Sequence, residues 1–166
     1  MAWPTFLRDL FTDRATARKR AFLDSVELFK GLNAADAGRL AQSMNSRTYH
    51  AGETLFAEGE VGRALFVLES GRVALTRRGP SGEACRLAAV EPGGFFGEWA
   101  LLEQAPRSAT ATAEEESRIH LLDRSTLETL VSRHPRIGAQ VMTRLAQSLS
   151  ARLRRAAAAP TAPHEG

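Results

Sequence analysis

The sequence predicts a mainly β fold, an antiparallel sandwich or jelly roll with helices at both ends. From about residue 48 to residue 123 the apolar runs are short, and nine glycines separate them. On both sides of this region, apolar residues recur every three or four positions, as they do on one face of a helix. Short strands at regular spacing are typical of antiparallel sheets that pack face to face.

Six short runs in the central region are predicted to be strands. They cover residues 54–56, 64–68, 72–76, 85–90, 108–113 and 117–122. The sequence GPSG at 79–82 predicts a hairpin turn between the third and fourth of these runs. The three glutamates at 114–116 predict a solvated turn rather than an acid–base pair or a cation site.

Three helical stretches are predicted before the strands. Residues 3–11 have one apolar face and are followed by a basic cluster at 14–20. This segment could bind a membrane surface or a partner, although packing on its own domain or on a dimer mate is favoured. A second stretch spans residues 22–29 and ends at Gly31. Asn33 is the predicted N-cap of a third.

Two helices are predicted after the strands. Ser125 is the expected N-cap of the first, which Pro135 ends. The second runs from about residue 137 to residue 155. Its apolar stripe is either a dimer seam or the face that packs on the domain itself, and it consists of Val141, Leu145, Leu149 and Leu153.

The length of 166 residues and the composition, with 43% hydrophobic and 25% charged residues, are typical of one globular domain. No apolar run approaches the roughly 18 residues of a membrane span. The N-terminal residues resemble no secretory signal. The single cysteine, Cys85, cannot form an internal disulfide, which favours a cytoplasmic location; its apolar surroundings predict a small core residue.

The net charge of +3 conceals an uneven distribution. Residues 1–20 carry five basic and two acidic side chains, and residues 133–155 carry six arginines and no acid. Residues 21–132 carry eleven basic and sixteen acidic side chains. Basic ends indicate nucleic acid, a membrane surface or an acidic protein as partner, or merely a solvated helix face. We divide the chain into an extension (1–20), a binding domain (21–155) and a disordered tail (156–166).

The segment 93–110, GGFFGEWALLEQAPRSAT, carries the strongest chemical signal. Arg107 can place its guanidinium fork on phosphate oxygens. Glu98, when ionised, can only accept hydrogen bonds, which suits a sugar hydroxyl. Gly97 allows a ligand to approach the backbone closely. A helical turn over residues 98–103, ended before Pro106, would direct free N–H groups at an anion.

This segment resembles the phosphate-binding cassette of the cyclic nucleotide-binding domain family, to which the catabolite activator protein and the protein kinase A regulatory subunits belong. Residues 51–62 (AGETLFAEGEVG) and 65–74 (LFVLESGRVA) are similar to two earlier motifs of that family, in the same order. The resemblance covers roughly residues 22–155. It implies an eight-stranded antiparallel jelly-roll β-barrel (double-stranded β-helix), with N-terminal helices and a C-terminal hinge-and-lid helix.

The resemblance also implies ligand-binding residues. Arg107 would pair with the cyclic phosphate and Glu98 would hold the ribose 2′-hydroxyl, while backbone N–H groups complete the cradle. These N–H groups belong to Gly97, Ser108 and Ala109. The cassette residues Trp99 and Ala100 are assigned to the same site. Trp99 replaces the commoner aliphatic residue and either fills core, which is favoured, or covers the pocket.

The base is expected against Leu75, Leu87 and Ala88, under a lid formed near Arg152 and Leu153. Ser108 offers a hydroxyl at a place where the family sometimes contacts guanine, but a serine there also occurs in members that read cAMP. The resemblance therefore favours cAMP, and cGMP stays open. A cyclic dinucleotide, or an interaction module of the same fold without a purine ligand, is the alternative.

Other functions are disfavoured by the sequence. The four histidines lie far apart and form no His-x-His, so no metal or other cofactor and no enzyme activity is predicted. In the related activators a helix-turn-helix follows the long helix, whereas this sequence continues for only about ten residues, so no DNA-binding domain is expected. A stand-alone sensor of bacterial type would then act through a homodimer or an unknown effector protein.

Overall fold

The structure is a computed structural model that describes residues 5–103 and 105–158. Its α-helices are α1 (Thr5–Ser25), α2 (Ala34–Ser43), α3 (Glu98–Leu102), α4 (Arg124–Arg133) and α5 (Pro135–Ala158), with a 3₁₀ turn at Glu27–Phe29. Its strands are β1 (Asn45–Tyr49), β2 (Thr54–Phe56), β3 (Ala64–Ser70), β4 (Val73–Arg78), β5 (Ala84–Val90), β6 (Phe95–Phe96), β7 (Thr110–Ala113) and β8 (Ser117–Asp123).

The strands form two four-stranded sheets. The first has the order β1-β8-β3-β6 and the second has the order β2-β7-β4-β5. Neighbouring strands are antiparallel in both sheets. A mainly antiparallel β fold with flanking helices is therefore confirmed. The eight described strands form two hydrogen-bonded sheets of four strands each. The family resemblance predicts instead that eight strands close into one barrel.

Strand β3 shows how the layers are arranged. Leu65 and Val67 pack with the helices, whereas Phe66 and Leu68 pack with side chains from the second sheet. Strand β3 is therefore covered on both faces, and this explains why residues 64–68 are a continuous apolar run without alternation. The molecule has three layers: helices, the first sheet and the second sheet.

The N-terminal helices differ from the prediction. Residues 22–25 belong to α1, so the expected boundary at residue 20 lies inside one helix. No glycine or proline interrupts residues 5–25, and the helix stops where Val26 becomes extended, at φ −78° and ψ 128°. The side chains of residues 3–11, assigned above to an apolar face, lie outside the described side chains.

The basic end of α1 contacts its own domain through Lys19, whereas Arg14, Arg18 and Arg20 are exposed. Lys19 Nζ donates to the carbonyl oxygen of Met44 at 2.7 Å, and Leu23 and Val26 are buried. The pKa of Lys19 is lowered mainly by burial, with Arg118 acting in the same direction. Among the residues that the structure describes, no helix is long and apolar enough to cross a membrane.

Some of the predicted helix boundaries agree with the structure, and others are shifted by a few residues. The side chain of Asn33 caps α2 by accepting from the N–H of Asp36 at 2.9 Å. Residue 135 separates the last two helices, but Pro135 is the first residue of α5. Helix α4 begins at Arg124 rather than after Ser125. Helix α5 continues to residue 158, so the predicted tail starts three residues too early; the rest of it lies outside the described residues.

The strand predictions missed β1 and β6. Strand β1 is polar and exposed at four of its five residues, so no hydrophobic pattern marks it. It forms because its backbone pairs with β8. Strand β6 has only two residues. Cys85, predicted to be buried, is exposed because β5 is an edge strand of the second sheet.

A buried histidine fastens α1 to the first sheet. His120 has no exposed surface, and its Nδ1 lies 2.9 Å from Ser46 Oγ while its Nε2 lies 2.8 Å from Glu69 Oε2. The ring of Phe22, on α1, lies 5.5 Å from the imidazole. Glu69 also pairs with Arg118 Nε at 3.0 Å. Burial lowers the pKa of His120, and the charge of Glu69 opposes this effect.

Acid should therefore destabilise the domain through His120. Below about pH 6.5 the unfolded chain binds a proton at this residue before the folded chain does. The free energy of unfolding falls as the pH drops from there through the lowered folded pKa. We expect His120→Gln to flatten this part of the pH dependence, measured by urea unfolding at several pH values. His50→Gln, at an exposed histidine, is the control; equal slopes in wild type and His120→Gln would refute the assignment.

Candidate functional site

A cavity of about 650 Å³ lies between the second sheet, the segment that leads into α3, and the C-terminal part of α5. Leu75 and residues 88–98 form one wall. Ser148, Arg152 and Arg155 of α5 form the other, and Glu27 of the 3₁₀ turn closes one side. The cavity thus joins residues from four parts of the chain that are distant in sequence.

Gly97 is the residue at which the wall turns into α3. Its φ is +74°, in the left-handed region that favours glycine. A Cβ atom here would lie 2.6 Å from Arg107 Nη1 and 3.3 Å from Phe66 Cδ2. Glycine is therefore required both by the backbone conformation and by the close approach of the arginine.

Glu98 begins α3 and is only 6% exposed. Its Oε1 accepts a hydrogen bond from Arg152 Nη1 at 2.6 Å. Arg152 Nη2 also donates to the carbonyl oxygen of Phe95 at 2.9 Å, and its guanidinium carbon lies 4.7 Å from the centre of the Phe95 ring. The end of α5 is thereby fixed to the wall of the cavity.

Arg107 is 7% exposed and lies behind Gly97 instead of lining the cavity. Nη1 donates to the carbonyl oxygen of Gly97 and Nη2 to that of Ala64, both at 3.0 Å. The guanidinium carbon lies 4.1 Å from the centre of the Phe56 ring and 5.1 Å from that of Phe66. Nε is buried and has no hydrogen-bond partner among the described residues.

The charge of Arg107 is costly in this position. Burial lowers the pKa of its guanidinium, and the carboxylates of Glu60 and Glu98 act in the opposite direction. A buried cation usually has an anionic partner within hydrogen-bonding distance. Here main-chain carbonyls and aromatic faces hold it, and one N–H donor is left unused. These features suit the binding of an anion.

The loop between β2 and β3 fixes the backbone of Arg107. The N–H of Arg107 donates to Glu60 O, and its carbonyl oxygen accepts from the N–H of Gly59, both at 2.8 Å. One residue earlier, Pro106 forms a bridge with Val61. The first glycine-rich motif, residues 51–62, therefore positions the arginine of the later motif.

The structure brings together some of the predicted site residues. Five of them line the cavity: Leu75, Ala88, Gly97, Glu98 and Arg152. Ser108 is exposed and Ala109 is buried, and neither lines the cavity. Ala100 lies in α3, but its side chain is outside the described ones.

Three predicted positions are placed differently. Leu87 is 50% exposed and does not line the cavity, whereas its neighbour Ala88 does; the pairing of β4 with β5 is irregular at this point and leaves Leu87 without a partner residue in the register. The interpretation of Trp99 as core is wrong, since its side chain is 53% exposed on α3. Leu153, predicted near the lid, is 71% exposed.

Outside β5 and the segment that leads from it into α3, sequence reasoning missed three residues of the cavity: Glu27, Ser148 and Arg155. None of them belongs to a motif. Arg155 shares a helical face with Ser148 and Arg152, at a spacing of three to four residues, and this periodicity could have identified them. Glu27 is brought in by contacts of the 3₁₀ turn with α5, among them Arg144 Nη1 at 3.3 Å from Glu27 Oε1.

Replacing Gly97 by alanine should cost more stability than the left-handed backbone conformation alone, which costs about 1–2 kcal/mol. The additional cost comes from the contact of the new Cβ with the guanidinium of Arg107. Thermal and urea unfolding measure both effects together.

Gly52→Ala is the matched control for this prediction. Gly52 has a similar φ of +83°, and nothing lies within 4 Å of a Cβ placed there. It isolates the backbone cost. If both variants lose the same amount of stability, the close packing of Arg107 behind Gly97 is incorrect.

The chain is similar to known proteins. A family model described as "Cyclic nucleotide-binding domain" matches residues 46–134. The CRP-like cAMP-activated global transcriptional regulator of Mycobacterium tuberculosis is 33% identical over 122 residues, covering 74% of this chain and 54% of that protein. The cAMP-dependent protein kinase regulatory subunit of Yarrowia lipolytica is 33% identical over 110 residues, covering 66% of this chain and 28% of that protein.

A solved structure agrees with these matches. The crystal structure of the Thermus thermophilus Catabolite Activator Protein superimposes with a TM-score of 0.72 at 35% identity, covering 78% of this chain and 59% of that one. The chain spans about half, or less, of the length of the curated relatives. The resemblance inferred from the motifs is confirmed, and the chain belongs to the cyclic nucleotide-binding domain family.

Proposed function

We propose that the protein is a sensor that binds a cyclic mononucleotide, with cAMP favoured, in the cavity beside Gly97. The observation that carries this proposal is the pair of buried charges on either side of that glycine. Glu98 is an acceptor at the cavity wall, and Arg107 is a buried cation with an unused N–H donor. Membership of the family supplies the ligand class.

The two charges would read different parts of the ligand. Glu98 accepts a ribose hydroxyl, since Arg152 occupies only its Oε1. The guanidinium of Arg107 has five N–H donors, and two main-chain carbonyls use only part of them. It can therefore donate to a phosphate oxygen while it keeps a hydrogen bond to a main-chain carbonyl, or it can replace one of these carbonyls by the phosphate as its acceptor. Backbone N–H groups of Gly97, Ser108 and Ala109 complete the proposed cradle.

The proposal favours cAMP because the names of two related proteins contain it, one "cAMP-activated" and the other "cAMP-dependent". Leu75 and Ala88 provide an apolar wall for a purine. These names are those of regulators, which supports a regulatory rather than a catalytic role in a cytoplasmic protein. We propose cGMP and a cyclic dinucleotide as weaker ligands of the same cavity.

Binding would be transmitted through α5. Arg152 and a ribose hydroxyl would share the carboxylate of Glu98. Ligand binding would therefore change the ion pair that links α5 to the cavity wall. Only a difference in ligand affinity between two arrangements of α5 can drive such a shift. Val141 and Leu145 are buried in the domain itself, which leaves Leu153 as the exposed member of the stripe. We infer that this end of α5 contacts a dimer mate or an effector.

Calorimetric titration with cAMP and cGMP tests the proposed ligand. We expect cAMP to bind more tightly than cGMP, and Arg107→Gln to weaken binding by about 2–5 kcal/mol, since it removes a buried charge-assisted pair. Glu98→Gln should weaken binding less, because an amide oxygen still accepts a hydrogen bond. Absence of binding at about 1 mM of both nucleotides would exclude the sensor and favour the interaction module.

Hydrogen exchange tests the transmission through α5. Arg152→Gln should speed amide exchange in residues 149–158, because it breaks the contacts with Glu98 and the Phe95 carbonyl. In the wild type, cAMP should change exchange in the same residues. Arg154→Gln, which loses only a contact with Ser150 of its own helix, is the matched control. Equal exchange in the two variants would show that Arg152 does not hold α5.

A further inference from the structure

A second cavity, of about 560 Å³, lies between α2 and α4. It is lined by three groups that can be cationic: Arg39 from α2, Arg133 from the end of α4, and His134 beyond it. Ser125 and Thr126, which carry hydroxyl groups, also line it. No carboxylate is among its described lining residues, whereas Glu27, Glu91 and Glu98 line the cavity beside Gly97.

The donors of this α2–α4 cavity are largely unused. In the described part of the chain, no group binds the guanidinium of Arg133 or the ring of His134. Arg39 gives only Nη1 to Asp36 Oδ1, at 3.1 Å. The hydroxyl of Thr129, by contrast, donates to the carbonyl oxygen of Ser125 within α4. Two arginines thus line one space, and no carboxylate is among its described lining residues.

We propose that the α2–α4 cavity binds a small phosphomonoester. Guanidinium forks match the geometry of phosphate oxygens, and the neighbouring hydroxyls can donate to the same group. The volume lies within the range of about 300–1,000 Å³ that is usual for small-molecule sites. Residues 133–155 contain six arginines. Arg152 and Arg155 line the cavity beside Gly97, whereas Arg133, the first of the six, lines the α2–α4 cavity.

This site is independent of the proposed cyclic nucleotide site, since the two cavities share no lining residue. It lies beside the junction of α4 and α5. The carbonyl oxygen of His134 accepts the N–H groups of Ile137 and Gly138, in the first turn of α5. A ligand held by Arg133 and His134 therefore contacts the segment from which α5 starts.

Calorimetric titration of the full chain with glycerol 3-phosphate tests the proposal. We expect millimolar binding, and at least a tenfold loss of affinity in the double variant Arg39→Gln/Arg133→Gln. The control Arg77→Gln/Arg78→Gln removes two exposed charges from β4, away from the cavity, and should bind like the wild type. Vesicles that contain phosphatidic acid form a second arm, which separates a lipid headgroup from a soluble phosphomonoester as the source.

Three results would overturn the site. The first is that the protein binds neither glycerol 3-phosphate, up to about 10 mM, nor the vesicles. The binding free energy would then be smaller than the ~4 kcal/mol of millimolar binding. The second is equal loss of affinity in both double variants, which would indicate net charge alone. The third is loss of binding in Arg107→Gln but not in Arg39→Gln/Arg133→Gln, which would place the phosphate beside Gly97.

Discussion

The buried guanidinium of Arg107 connects three parts of the molecule that are distant in sequence. Its hydrogen bonds reach the carbonyl of Ala64 on the first sheet and the carbonyl of Gly97 before α3. Its plane packs on Phe56 of the second sheet. Because these hydrogen bonds and ring contacts converge on one buried cation, they link the two sheets and the start of α3. The absence of a side chain at residue 97 makes this arrangement possible.

A second arginine links this centre to the C-terminal helix. Arg152 donates hydrogen bonds to the carboxylate of Glu98, the residue after Gly97, and to the carbonyl oxygen of Phe95, two residues before Gly97. The contact is electrostatic and lies at the edge of a cavity, where a polar ligand can alter it. The apolar anchors of α5, Val141 and Leu145, lie deeper and are fully packed. Helix α5 is thus held by apolar packing at Val141 and Leu145, and near its end by the polar contacts of Arg152, the part that the proposed signal transmission would move.

Prediction from the sequence succeeded where a local pattern has a local cause. Asn33 caps α2 through a contact three residues away, and the GPSG turn closes the hairpin of β4 and β5. Gly97, Glu98 and Arg107 were predicted together because phosphate and sugar binding requires these residue types close together. The structure places Arg107 against Gly97, and the binding of a ligand by these residues stays a prediction. Strand β1 could not be found, since only its pairing with β8 makes it a strand. The apolar run at Cys85 was misleading because nothing in the sequence shows that β5 is an edge strand.

The sequence by itself determined the class of fold, the family and the two charged residues that the proposed site uses, since each depends on residue type and spacing along the chain. Only the tertiary structure decided that Arg107 lies behind Gly97, that Trp99 and Leu87 face outward, and that Arg152 pairs with Glu98. These outcomes depend on which faces of separate strands and helices meet. Such contacts are set by the packing of the three layers, and no pattern within a single segment contains them.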